Sequence, residues 1–133
     1  MTVSVNRTPK VTTLTWTRTD DPQSYIAQAV ESGHLEAALT VLGLQDYYDL
    51  ATLPKAQRAK LLRHTAALAN ELTRRVRHLT VAHRHHGASW EELALLLVSD
   101  SEAHGTAYST YNAGLRQMGL TSTGAGTADA RSS

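Results

Sequence analysis

The sequence contains no cysteine and no phenylalanine. Without thiols there is neither a disulfide framework nor a cysteine-ligated zinc site. With two Trp and five Tyr in 133 residues, aromatic filler is also scarce. The core must then be built from Leu, Ala and Val, which suits close-packed helices better than a β-sandwich. No apolar run approaches the roughly 18–20 residues of a membrane span, and the start lacks the basic-then-apolar pattern of a secretory signal. These absences point to a cytoplasmic protein with no membrane contact. Also missing are a Gly-rich phosphate loop, H-E-x-x-H and G-x-S-x-G. Capping and solvation explain Asp20, Asp21, Asp46 and Asp49, so neither enzymatic activity nor a cofactor is expected.

Acidic residues are lacking in one particular place. Residues 55–86 hold eight Lys or Arg against Glu71 alone, a net of +7, and five of the seven His. Residues 1–54 and 87–133 each carry a net of −3 (three basic against six acidic, and two against five). A formal net charge of +1 therefore conceals one basic segment, which bears on partners rather than on fold.

The start, residues 1–20, reads as an extended arm. Leu14 and Trp16 alternate with Thr13, Thr15 and Thr17, a period of two with β-branched residues. Val3 and Val5 offer a partner strand, with "NRTP" as the turn. A helical domain over residues 21–120 follows. Asp21 is placed to cap a helix, Pro22 to stand first in it and Gly33 to stop it. Its apolar face is Ile26, Ala29 and Val30, and the next helix turns Leu35, Leu39 and Leu42 inward. "QDYYDLATLP" holds one helical turn.

From Pro54 to His86 runs the longest helix. Leu61, Thr65, Leu68, Leu72, Val76, Leu79 and His83 recur every three or four residues along one face. Arg63, Arg74, Arg77 and Arg84 fall on the opposite face. Ser89 and Glu92 form an S-x-x-E capping box ahead of a helix that buries Trp90, Leu93, Ala94 and Leu97. Ser99 and Glu102 repeat the signature, so a further helix is expected from Ser101 to Met118, with Ala103, Ala107, Tyr111, Gly114, Leu115 and Met118 inward. The expected fold is all-α: a multi-helix bundle with a helix-turn-helix at 89–118, the extended arm, and a disordered small-residue tail over 121–133.

These residues resemble the small helix-turn-helix regulators of high-GC bacteria, related in shape to the promoter-reading region of sigma factors. Gly87, Ala88, Ser89, Trp90, Glu92 and Leu97 match the family's G-A-S-W-x-E pattern without a gap, as do Ala103 and Tyr108. The likeness covers roughly residues 58–112. It implies a DNA-binding transcription regulator, commonly dimeric, whose second motif helix lies in the major groove. The chain departs from the pattern where DNA would approach: Val98 replaces the turn glycine, and Asp100, Ser101 and Glu102 replace a basic opening. Gly105 lies inside the helix, at a cost of about 1 kcal/mol against Ala unless a close backbone approach uses it.

Two functions are therefore weighed. In the first, the protein binds double-stranded DNA. Arg63, Arg74, Arg77 and Arg84 touch phosphates, and Thr106, Ser109, Asn112 and Arg116 read base edges, since Asn suits adenine and Arg suits guanine. In the second, a mobile-element or phage-type module keeps the framework and uses Glu91, Glu92, Asp100 and Glu102 to address a host protein. The bland alternative for the arginines is a solvated face, and for the α-helical polar row ordinary exposure. His83 and His86, three apart, lack a third ligand nearby, so no metal is expected.

Overall fold

The computed structural model describes residues 3–44 and 46–120, so the expected tail over 121–133 lies outside the described residues. Among these are six helices and one two-stranded sheet. Residues 1–69 and 70–133 form two compact units, dividing the expected helical domain inside its longest helix.

The first unit opens on a hairpin. Strands β1 (Ser4–Arg7) and β2 (Thr12–Thr15) pair antiparallel with Val5 opposite Leu14. The turn falls at Thr8–Val11, two residues beyond the expected "NRTP". There the Thr8 amide donates to the Val11 carbonyl at 2.8 Å, and the Val11 amide donates back to Thr8 Oγ1 at 3.0 Å. Both strands are exposed throughout.

Helix α1 (Tyr25–Glu31) starts later than expected. Asp21 does cap it, its Oδ2 accepting from the Ile26 and Ala27 amides at 3.0 and 3.2 Å. A turn closed by the Ser24 amide on the Asp21 carbonyl intervenes, which leaves Pro22 outside the helix. Helix α2 (His34–Gly43) packs on α1, and the buried apolar residues are Ala29 and Ala37. That approach through alanines turns Leu39 (51% exposed) and Leu42 (68%) outward, against the expectation that they face in. Helix α3 (Tyr47–Ala51) is the expected single turn, capped by Asp46 Oδ1 on the Tyr48 amide at 2.9 Å.

Helix α4 (Lys55–His85) is 31 residues long, about 46 Å at 1.5 Å per residue. It ends as expected at Gly87, whose φ of 102° is open only to a residue without Cβ strain. Helices α5 (Trp90–Val98) and α6 (His104–Gln117) follow, joined by the five residues 99–103. The core of the second unit is Val81, Ala88, Trp90, Leu93, Ala94, Ala107, Tyr111 and Leu115. Leu97 and Ala103 pack on it partly buried, whereas Met118, expected inward, is 45% exposed.

The apolar stripe of α4 behaves differently from its sequence reading. Leu72, Val76 and Leu79 are 56%, 42% and 68% exposed, and the buried residues of the helix are Thr80 and Val81. The reason is Gly114 on α6. A Cβ there would stand 2.6 Å from the Arg77 carbonyl and 2.7 Å from Val81 Cγ2, so glycine lets α6 lie directly on the Arg77–Val81 side. That side, and not the leucine stripe, is where α4 meets the core.

Candidate nucleic-acid interface

Ser89 starts α5 as expected, its Oγ accepting from the Glu92 amide at 3.0 Å. The reciprocal half of the capping box is replaced. Glu92 Oε2 lies 2.5 Å from His83 Nε2 and ties α5 to the end of α4. His86 Nδ1 is meanwhile 2.7 Å from the Ala82 carbonyl, so His83 and His86 have separate partners.

Between α5 and α6 the left-handed position is taken by Ser99 (φ 56°), one residue after Val98. This answers the missing turn glycine: the β-branched Val98 stays helical and a small polar residue makes the bend. Ser99 is consequently not an N-cap, and the second S-x-x-E box does not form. Instead Asp100 Oδ1 accepts from the Glu102 amide at 3.0 Å, and α6 begins at His104, three residues after the expected Ser101. Gly105 has open space around it, so no close approach uses it, and such an approach occurs at Gly114.

One face of α6 is anchored by aromatics. Trp90 packs edge-on against Tyr108 and Tyr111, with ring centroids 5.7 and 5.4 Å apart. His85 Nε2 lies 3.1 Å from the Tyr111 hydroxyl, joining α4 to α6. Trp90 Nε1 and Asn112 Oδ1 are shielded from solvent with no hydrogen-bond partner among the described residues.

The outward face of α6 carries Thr106, Ser109 and Arg116, all exposed. Ser109, Asn112 and Arg116 line one shallow notch of about 300 Å³ together with Tyr108. Asn112 departs from its expected role. It is buried, at 7% exposure, with Nδ2 donating to the Tyr108 carbonyl at 3.0 Å, so it forms the notch floor rather than offering its amide to a base edge. A bond to the carbonyl four residues back satisfies the Asn112 amide beside Tyr111 and Leu115, on the buried side of the helix instead of in the outward row.

The four arginines expected at phosphates separate. Arg63 belongs to the first unit, exposed, with Nη2 3.3 Å from His64 Nε2. Arg74 grips Glu71 through both Nε (3.1 Å) and Nη2 (2.8 Å), and Arg75 Nε donates to the same carboxylate at 3.0 Å. The hydrogen bonds from Arg74 and Arg75, reinforced by both positive charges, lower the Glu71 pKa to about 2. One carboxylate thus sits under two guanidiniums, and Arg75 joins the basic face although its spacing had not singled it out. Arg77 is half-buried beside Gly114. Arg84 is a structural residue: its guanidinium lies 4.3 Å over the Trp90 ring and Nη1 donates to the Ala88 carbonyl at 2.8 Å. The acids Glu91, Glu92, Asp100 and Glu102 are exposed. Among the described residues no three His, Asp or Glu side chains are grouped as a metal site would require, and no helix is long and apolar enough to cross a membrane.

In comparison with known proteins, the chain matches no family model, no curated protein and no solved structure.

Proposed function

We propose that residues 70–120 act as a helix-turn-helix unit that binds double-stranded DNA, with α6 in the major groove and the protein serving as a small transcription regulator. The observation that carries this reading is the division of α6 into two faces. Ala107, Tyr111, Gly114 and Leu115 are buried on one, and Thr106, Ser109 and Arg116 stand in water on the other. A short helix held by its back and presenting a polar row is the arrangement that groove recognition needs. Arg74 and Arg75 supply the phosphate contacts, with Arg77 beside them, while Arg84 holds the Trp90 anchor.

Fluorescence anisotropy against labelled duplexes from about 50 to 300 mM salt tests it. With about three phosphates neutralised, log affinity falls against log salt with a slope near −3. Arg74→Glu with Arg75→Glu should flatten that slope, and Ser109→Ala with Arg116→Ala should erase any preference between duplexes. Absence of binding at about 50 mM overturns the reading. A second reading, a module that binds a host protein, is favoured by the exposed Asp100 and Glu102, which stand at the entry to α6 where phosphates would approach.

A further inference from the structure

The first unit holds an open apolar cavity of about 480 Å³, inside the range of about 300–1,000 Å³ typical of small-molecule sites. Val41 of α2, Leu50 of α3, Leu53 and, from α4, Leu61 and Leu62 line it. All precede residue 69, so the cavity belongs to one unit. Its polar groups stand at two ends of one face of α4, on which Lys55, Arg58, Leu62 and Thr65 recur every three or four residues. At one end Lys55 and Arg58 are exposed. Arg58 Nη1 donates to the Ala51 and Leu53 carbonyls at 3.3 and 2.9 Å, which fixes its guanidinium at the rim. Among the described residues no Asp or Glu lines the cavity to offset these charges. At the other end, two turns or about 10 Å along the helix from Arg58, is Thr65. Three other helical threonines satisfy their hydroxyls on the carbonyl four residues back: Thr40 on Glu36, Thr80 on Val76 and Thr110 on Thr106, at 2.9, 2.8 and 2.9 Å. Thr65 Oγ1 instead is shielded from solvent and has no partner among the described residues. A hydroxyl left so is destabilising.

We propose that this cavity binds a small amphipathic carboxylate that carries an oxygen at its far end. The carboxylate sits between Lys55 and Arg58, the aliphatic body lies along the leucines, and the far oxygen accepts from Thr65 Oγ1 once that side chain turns towards it. Each feature narrows the class. Two cations with no acid beside them select an anion over a neutral or cationic molecule. The leucine lining disfavours an ion without a hydrocarbon body, because such an ion loses water there and gains nothing in return. The unmade bond at Thr65 favours a second polar group over a plain alkyl end, at a separation that the helix sets at about 10 Å.

The test is isothermal titration calorimetry of the full chain with ω-hydroxydecanoate, without nucleic acid, which keeps it separate from the DNA-binding reading. Saturable one-to-one binding with a Kd of about 1 mM or tighter is expected. Decanol, which lacks the charge, and decyltrimethylammonium, which reverses it, should each bind roughly tenfold more weakly or worse. Lys55→Gln should weaken ω-hydroxydecanoate several-fold. Thr65→Val, which keeps the shape and removes the hydroxyl, should bind decanoate as the wild type does and lose the preference for the ω-hydroxy acid. Ala59→Trp sets a ring into the cavity from an exposed helical position and should abolish binding with helix content kept by circular dichroism. Absence of saturable binding overturns the proposal. Equal affinity for the three decyl compounds overturns it too, since an apolar surface alone would then suffice. So does undiminished binding by both Ala59→Trp and Lys55→Gln, which would put the ligand elsewhere on the molecule.

Discussion

The two units use similar residues to different ends. The second buries eight apolar residues, Trp90 and Leu93 among them, whereas in the first the buried apolar residues among those described are Ala29 and Ala37. Leucines are plentiful in both; what differs is a large residue that is fully buried, since Trp90 is 4% exposed whereas Trp16 and Tyr25 of the first unit are half-buried. In the second unit Trp90 supplies volume, Gly114 and Ala107 allow helices to approach it, and Arg84 covers its open face. In the first unit the fully buried apolar residues are alanines, while Leu39, Leu42 and Leu62 are exposed and Leu35, Leu50, Leu53 and Leu61 are half-buried. Polar contacts hold it instead: Asp21 over the start of α1, Asp46 over α3, Arg58 on the Ala51 and Leu53 carbonyls, and His34 on His64.

The largest effect that would sharpen this contrast is loss of Trp90, which is 4% exposed. Trp90→Ala should cost about 3–5 kcal/mol, a large share of the stability of a small domain. Hydrogen exchange should report it as lost protection over α5 and α6. The matched change in the first unit, Leu39→Ala, should stay within about 0.5 kcal/mol because the side chain is already exposed. Equal costs would break the comparison.

Gly114 comes next. A methyl group there meets backbone 2.6 Å away, which a rotamer change cannot relieve. Gly114→Ala should therefore destabilise by about 1–3 kcal/mol despite the higher helix propensity of alanine. The same substitution at Gly105, where nothing stands within 4 Å, should stabilise by up to about 1 kcal/mol. Urea melts of the pair separate packing from propensity.

The sequence made some of this legible and hid the rest for definite reasons. Local chemistry was readable: the Ser89 cap, the end of α4 at Gly87, the Asp46 turn and the paired N-terminal strands all follow from residues adjacent in the chain. The stripe from Leu72 to Leu79 was also correctly seen as apolar. Periodicity says that one face is apolar but not what covers it, and here a glycine on another helix chose the neighbouring face. The start of α6 was misplaced because S-x-x-E at Ser99 satisfies a capping pattern that Ser99 abandons to make the bend. Arg84 looked like one more cation because no spacing rule relates it to the Trp90 ring. Its cap half predicts a smaller effect: Ser89→Ala should cost about 1 kcal/mol, seen as a modest fall in the melting temperature of the second unit.

The smallest predicted effect separates the units by pH. In the first unit His34 Nδ1 and His64 Nδ1 lie 2.8 Å apart, so one ring donates and the other must accept. Burial lowers the His64 pKa, helped by the charges of Arg63, His34 and Lys60. A histidine with a lowered folded pKa binds fewer protons folded than unfolded, so its contribution is complete above the unfolded value and declines as pH falls below about 6.5. In the second unit Glu71 sits near 2, so its contribution is kept above the usual carboxylate value and lost only as pH falls from about 4.5 towards 2. Between pH 7 and 5 the first unit should therefore soften while the second does not. Protection factors over α2, which allow for the slower intrinsic exchange in acid, should fall between pH 7 and 5 in the wild type, and His64→Gln should remove that dependence without altering protection over α5. If acid instead loosens both units together, the His34–His64 contact is not what distinguishes them.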